Sequence, residues 1–266
     1  MAVLRAAIFF ASARRCDFAE QGASLYVLRM RNRPIVQLRS EQIAFVEGLL
    51  LHRSDGVMAF NKPSGLAVQT RGNRGKSLDH LLWAYARSNG KRPHLVHRID
   101  AGTSGLVLAA ETKPMAAHLS AQFSDRKVKK RYRALVSGQV PDQMSGRCEA
   151  PLLKHGRKSL LAQLDQGADA ARTDWRILEH VGTAAMVEAR PITGRMHQIR
   201  AHLASMQMPI MGDVLYGTGA LSAPRLMLHA EALSLSLPDG GTLALTAPLP
   251  ADFSAFWQRL QSDVGA

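Results

Sequence analysis

Hydrophobic and polar positions along this chain fall into two periods, and from about Glu47 onward they mark out its elements. Gly56 to Phe60 predicts a short strand running into the turn Asn61-Lys62-Pro63-Ser64-Gly65, where proline sets φ and glycine permits a tight reversal. Ser77 is placed to cap a helix in which Leu78, Leu81, Leu82 and Tyr85 recur at the spacing of one buried face. Leu106 to Ala110 is an apolar run between Gly105 and Thr112-Lys113-Pro114. It predicts a buried strand feeding a helix with proline in its first turn and Met115, Leu119 and Phe123 toward the core. Arg131 to Ser137 predicts a strand with Tyr132, Ala134 and Val136 on one side and Arg131, Arg133 and Leu135 on the other. Leu233, Leu235 and Leu237 alternate with serines before Pro238-Asp239-Gly240-Gly241 and Thr242 to Thr246, a β-hairpin pattern. Strands and helices interleave without a regular βαβ period or a repeat. The predicted class is α+β with a mixed, largely antiparallel sheet.

The first 45 residues look different. Met1 to Arg15 contains no acid, and Arg29, Arg31, Arg33 and Arg39 punctuate a weakly patterned stretch. We read residues 1–45 as a weakly structured N-terminal extension and residues 46–266 as the catalytic domain. An arginine-rich, acid-free segment also has the composition of an organelle transit peptide.

Composition narrows the function. The 266 residues carry 34 Lys and Arg against 21 Asp and Glu, a formal charge of +13, with 46% hydrophobic residues. Such a chain builds a real core, which excludes intrinsic disorder and collagen-like repeats. Apolar runs such as Ala6 to Phe10 fall far short of the roughly 20 residues that cross a bilayer. Cys16 and Cys148 form neither a disulfide framework nor a zinc motif, which fits a reducing, cytoplasmic compartment. The positive balance attracts polyanions, nucleic acid first among them.

Two familiar motifs are only apparent. Gly75-Lys76-Ser77 resembles the end of a phosphate-binding loop, but Thr70 stands where its first glycine belongs. Gly102-Thr103-Ser104-Gly105 is not a hydrolase nucleophile elbow. His197 and His202 are spaced so that one helical face cannot present both to a metal.

The chemistry concentrates in two blocks. In His97-Arg98-Ile99-Asp100-Ala101-Gly102-Thr103-Ser104-Gly105, a lone carboxylate follows a basic pair and precedes a glycine-rich turn. Pro191-Ile192-Thr193-Gly194-Arg195-Met196-His197-Gln198-Ile199-Arg200 opens a predicted helix with the apolar stripe Met196, Ile199, Leu203 and Met206. Arg200 sits about 80° from the centre of that stripe and is expected half-buried. A half-buried guanidinium needs a carboxylate, because an unpaired buried ion costs roughly 3–5 kcal/mol. Spacing alone does not name the partner. Between the blocks, Arg126 to Arg133 carries six basic residues in eight, ordinarily a solvated face. Tyr132 within it adds a ring that can stack on an unpaired base.

The order Asn61-Lys62-Pro63-Ser64-Gly65, HRIDAGTSG at 97–105, Lys130-Arg131-Tyr132, GRMHQIRAH at 194–202 and RLMLHA at 225–230 resembles the RluA family of pseudouridine synthases. The resemblance runs from about Leu49 to Phe253, and Ile99 stands where leucine is commoner. It implies a mixed sheet crossed by a central basic cleft, and isomerisation of uridine in RNA to pseudouridine without cofactor or metal. It also implies that Asp100 is the catalytic aspartate, that Arg200 pairs with it, and that Tyr132 stacks on the target base. Arg98 would fill the gap left by the flipped base, and Leu228 would pack near the uracil. His97, Lys130, Arg195, His197 and Gln198 are expected to bind substrate. The expected partner is large-subunit ribosomal RNA, with transfer RNA as the alternative, acted on by a monomer with no membrane association. The stretch from Gly75 to Leu82, continued by Asn89-Gly90-Lys91-Arg92-Pro93, looks more like the ribosomal branch. The competing class is a non-catalytic RNA-binding or ribosome-assembly protein of the same fold, against which Asp100, Tyr132 and Arg200 argue. An RNA hydrolase using histidines would lack an ordered nucleophile and base.

Overall fold

The structure, a computed structural model, describes residues 36–70, 77–218 and 220–264. Most of the N-terminal extension, Cys16, and the Gly75-Lys76 pair lie outside the described residues. The chain enters through helix α1 (Ser40–Gly48) and the hairpin β1 (Leu50–Ser54) and β2 (Val57–Lys62). A single turn α2 (Leu78–Leu81) continues as a 3-10 turn to Tyr85, and β3 (His94–Leu95) and β4 (Ser104–Ala110) follow. Helix α3 (Lys113–Ser124) leads to β5 (Lys129–Ser137), β6 (Ser145–Cys148) and a separate hairpin, β7 (Leu152–His155) with β8 (Lys158–Leu161). Then come β9 (Thr173–Val181), β10 (Ala184–Pro191), α4 (Gln198–Ser205), β11 (Leu228–Ser236), β12 (Thr242–Thr246) and α5 (Ala251–Val264).

Among the described residues ten strands form one sheet in the order β1-β2-β4-β11-β5-β10-β9-β6, with β12 on β11 and β3 on β4. The pair β4 with β11 is parallel, and the other strand pairs of this sheet are antiparallel among the described residues. The α+β class with a mixed, mostly antiparallel sheet is therefore what the chain adopts. β4 is buried along its whole length, as its unbroken apolar run requires of a strand covered on both faces. Leu106 and Leu108 pack into one core cluster with Leu119 of α3, while Val107 and Ala109 pack into another with Leu78 and Leu82.

The cap read at Ser77 forms, and Thr112 caps α3 in the same way. Ser77 Oγ accepts from the His80 amide and Thr112 Oγ1 from the Met115 amide, each at 3.3 Å. Three boundaries differ. α1 begins at Ser40 and buries Val46 in the core, so residues 40–45 belong to the folded unit and not to a weakly structured extension. α5 was not anticipated, although Phe253, Phe256 and Trp257 have helical spacing and all three are buried. The helix predicted from Pro191 begins only at Gln198: Pro191 closes β10, and His197 adopts a left-handed φ of 53° that no helix continues through. Of the predicted stripe, Ile199 and Leu203 lie within α4.

Gly105 shows how closely β4 and β11 approach. Its φ is +107°, and a Cβ there would stand 2.2 Å from the Ala230 carbonyl oxygen. Gly105→Ala is expected to cost about 3 kcal/mol or more, from backbone strain plus displacement of β11. Urea denaturation of the two proteins measures it, and a loss below about 1 kcal/mol would mean that the strands separate easily.

Candidate active site

The predicted turn after β2 turns out to be a clamp on the Asp100 loop. Lys62, fully buried, donates from Nζ to the carbonyls of Leu66 at 2.7 Å, Pro63 at 2.9 Å and Ala101 at 3.0 Å. Ser64 Oγ donates to the Gly102 carbonyl at 2.7 Å, and the Gly65 amide donates to the Ala101 carbonyl at 2.8 Å. Three carbonyls match the three protons of an ammonium, although burial, partly opposed by the Asp100 charge, holds the Lys62 pKa down to about 7. The carbonyls on either side of the turn are thereby fixed, and Asp100 is presented at its tip.

Arg200, on α4, reaches Asp100 Oδ2 through Nη1 at 3.2 Å. This is the shorter half of the story. Its Nε and Nη2 donate to the two carboxylate oxygens of Asp213 at 2.7 and 2.8 Å, a bidentate pair, and the Asp213 side chain is completely buried. Asp213 Oδ1 also accepts from the Leu215 and Tyr216 amides. Burial opposes charge on both partners, but their mutual bonds prevail: Asp213 lies below the usual carboxylate range and Arg200 above its own ordinary value. Arg200 is thus nearly fully buried, and its principal partner is Asp213; Asp100, 27% exposed, takes the remaining nitrogen. The expected pairing of Arg200 with Asp100 is present, while its expected half-burial is corrected and Asp213 joins as the stronger partner. Tyr216 stacks under the guanidinium at 5.2 Å, and its hydroxyl accepts from the Ser159 amide and meets His197 Nδ1 at 3.2 Å.

A cavity of about 360 Å³ opens above these groups, lined among others by Asp100, Arg200, Tyr132, Ile199, Leu228 and Lys130. Tyr132 enters it from β5, paired across the sheet with Ala189 and Ala230, whose small side chains leave its ring room. Burial, and then the negative charge of Asp100, push the Tyr132 hydroxyl pKa well up, so it is a neutral phenol. Leu228 is buried in the wall. Lys130 Nζ donates to the Thr193 carbonyl at 3.2 Å, and burial with the Arg126 charge lowers its pKa to about 8. Arg98 stands exposed at the mouth without an ion pair among the described residues. Arg195 lines the cavity while holding Asp169 and the Ala170 carbonyl.

His97, His197 and Gln198 all line the cavity, and each also has partners within the protein. His97 accepts the Leu108 amide on Nε2 at 2.9 Å and stacks on Phe123 at 4.4 Å, and burial lowers its pKa to about 3. It braces the loop as a neutral ring. Gln198 is buried with its amide saturated: it donates to the Arg172 carbonyl and Thr173 Oγ1, and accepts from Thr193 Oγ1 and the Arg195 amide. It has nothing left to offer a substrate and instead ties the loop before α4 to β9. His197 sits 3.8 Å from Asp100 with its pKa lowered chiefly by burial, so it faces the site as a largely neutral ring. Asp213, Tyr216 and Lys62 are the residues the sequence reading missed. A lone acid within Met208 to Leu215, otherwise apolar apart from its glycine, was the available signal for Asp213.

Comparison with known proteins follows the same geometry. The family model described as RNA pseudouridylate synthase matches residues 56–205. A ribosomal large subunit pseudouridine synthase C from Vibrio parahaemolyticus is 36% identical over 78% of this chain and 68% of its own length. The dual-specificity RNA pseudouridine synthase RluA of Escherichia coli is 35% identical over 77% of this chain and 94% of its own. Among solved structures, human RNA pseudouridylate synthase domain containing 4 superposes with a TM-score of 0.72 at 27% identity, covering 84% of this chain and 98% of that one.

Asp213 lies just beyond the matched residues, and its burial makes a direct test. Asp213→Asn keeps the shape and leaves Arg200 with half its compensation. We expect a loss of about 3–5 kcal/mol in a urea melt, against about 1 kcal/mol or less for Asp100→Asn at its half-exposed site. Equal losses in the two variants would contradict the assignment of Asp213 as principal partner.

Proposed function

Since this chain belongs to the RNA pseudouridylate synthase family and is an RNA-modifying isomerase, we propose that it acts on a uridine of large-subunit ribosomal RNA, with Asp100, Tyr132 and Arg200 carrying the chemistry. Isomerisation requires the glycosidic bond to break, the uracil to turn, and a carbon–carbon bond to the same sugar to form. One observation carries the assignment of roles: among the described residues, Asp100 is the sole carboxylate lining the cavity. Glycoside hydrolysis uses two carboxylates, one of which activates water or acts as nucleophile. A single carboxylate in a partly apolar cavity, with no second one to activate water, suits a reaction in which water must not take the intermediate.

Asp100 would act on the sugar's anomeric carbon, on the uracil ring, or in loss of a sugar proton; all three routes need an ionised oxygen facing the cavity. Arg200, pinned by Asp213, orients that oxygen without consuming both lone-pair positions. Flipping a uridine out of its stack costs a few kcal/mol, and the Tyr132 ring returns about 1–3 kcal/mol by stacking. Because its hydroxyl stays protonated at neutral pH, Tyr132 serves as a hydrogen-bonding group or a relay and not as a standing phenolate base. Arg98 at the mouth is suited to the space the flipped base vacates, and Lys130 to a uracil oxygen or a flanking phosphate.

Ribosomal RNA is favoured because relatives from Vibrio parahaemolyticus and Nitrosomonas europaea are named as ribosomal large subunit synthases. Transfer RNA remains the second reading, since the Escherichia coli relative is named as dual-specificity. All the proposed catalytic groups come from one chain, which supports a monomer, and among the described residues no helix is long and apolar enough to cross a membrane.

Incubating the enzyme with unmodified large-subunit ribosomal RNA and transfer RNA, then sequencing for pseudouridine, tests the target; modification confined to transfer RNA would overturn it. In the same assay Asp100→Asn should lose turnover while still binding RNA. Activity within tenfold of wild type, about 1.4 kcal/mol in barrier, would remove Asp100 from the chemistry. Tyr132→Phe should retain RNA binding and lose turnover; normal turnover would leave the hydroxyl without a chemical role.

A further inference from the structure

A second groove, of about 440 Å³, opens on the far side of Lys130. Its floor is made of small residues on one face of the β11–β12 hairpin: Ala232 opposite Thr246, and Ser234 opposite Ala244. Ile192, 39% exposed, forms part of a wall. Five cations surround it, Arg126, Lys129, Lys130, Arg131 and Arg190, and no carboxylate is in its lining. These cations are not equivalent. Arg131 is bound to Glu231 at 2.8 Å and Arg190 to Glu188 at 2.7 Å. For Arg126 and Lys129 no side-chain ion pair or hydrogen bond is found among the described residues, and both are exposed.

Continuity with the catalytic cavity gives the groove its meaning. Lys130 and Pro191 line both spaces. Lys130 lies two residues along β5 from Tyr132, about 7 Å at the rise of a strand. A strand whose uridine rests on Tyr132 therefore has its next phosphates at the rim of the groove. Unpaired cations above a floor of methyl and hydroxyl groups match a sugar–phosphate backbone, and without an aromatic ring in the lining the groove offers no stacking platform. We propose that this groove holds the RNA strand flanking the target uridine, its phosphates on Arg126 and Lys129 and its sugars over Ala232, Ser234, Ala244 and Thr246. Contact of this kind is independent of sequence. It rests on the synthase reading of the cavity.

The test compares uridine, the nucleoside without flanking phosphates, with a uridine nonanucleotide long enough to enter the groove. Arg126→Asn combined with Lys129→Gln removes both free charges, and asparagine tolerates the positive φ of 59° at position 126. This double variant should bind the nonanucleotide about tenfold more weakly, with a salt slope shallower by about 1.4, at about 0.7 per single-strand phosphate contact. Its affinity for uridine should not change. Ala244→Trp, which fills the floor at an exposed strand position without altering charge, should weaken the nonanucleotide alone and leave its salt slope nearer to wild type. Lys91→Gln with Lys113→Gln removes two exposed charges elsewhere and should preserve the nonanucleotide's advantage. An unchanged nonanucleotide affinity in the Arg126 and Lys129 double variant, or an equal loss in the distant control, overturns the groove assignment. Pseudouridine formation by the unsubstituted enzyme is measured in parallel, so that turnover together with an unaffected double variant removes the groove and leaves the reaction standing.

Discussion

A buried guanidinium shared unequally between two carboxylates is the constraint from which the rest of the site follows. Arg200 lies where water cannot solvate it, so its charge must be met within the protein. Asp213 meets it with two bonds, from a side chain that is itself wholly buried and held by two backbone amides. With its charge satisfied, Arg200 can offer one remaining nitrogen to Asp100 as a fixed direction. Asp100 keeps solvent-facing oxygen, whereas Asp213 keeps none. Two aspartates of identical chemistry are thereby divided by burial alone into one that supports and one that faces the cavity.

Such a division needs a scaffold that fixes both ends. Asp100 stands on the loop entering β4, Tyr132 on β5, and β11 lies between those two strands. The approach at Gly105 sets the spacing of β4 and β11, and the Lys62 ammonium fixes the loop from below by holding the Ala101 carbonyl. On the opposite side, Gln198 holds the segment before α4 to β9, which sets where Arg200 begins its reach. His97 serves the same end by stacking on Phe123. Several motif residues that look like substrate ligands in one dimension are in this way the joints that place the few groups left free.

The legible part of the sequence was the part governed by local rules. The buried strand at Leu106 to Ala110, the cap at Ser77, the helix with Pro114 in its first turn and the closing hairpin depend on neighbours within a few residues, and they form where expected. Asp100, Tyr132 and Arg200 were legible through their motifs, and the fold brings them around one cavity. What could not be read was pairing over distance. Asp213 as the partner of Arg200, and the saturation of Gln198 by four different groups, are fixed by how α4 packs against β9 and the segment after it. The start of α4 was misplaced because nothing in Thr193 to His197 announces a left-handed residue, and α1 was missed because only Val46 of its nine residues is buried.

The distribution of carboxylates, and not the total charge, decides where the positive field is useful. From composition, +13 describes a uniformly attractive particle, and the run from Arg126 to Arg133 reads as a single basic strip. In the folded chain Glu231 takes Arg131 and Arg133, Glu188 takes Arg176 and Arg190, and Asp174 takes Arg147 and Arg172. These pairs, four of the six running between strands, neutralise much of the charge along the sheet. Cations away from those carboxylates, Arg98 at the cavity mouth and Arg126 and Lys129 beside the second groove, retain an uncompensated charge. Glu188 and Glu231 are buried in the sheet and need cations, whereas an exposed cation needs no partner, so the desolvation of those carboxylates draws arginines onto the sheet and leaves the free charge at its rim. Arg98, Arg126 and Lys129 are accordingly cations left free to attract a polyanion.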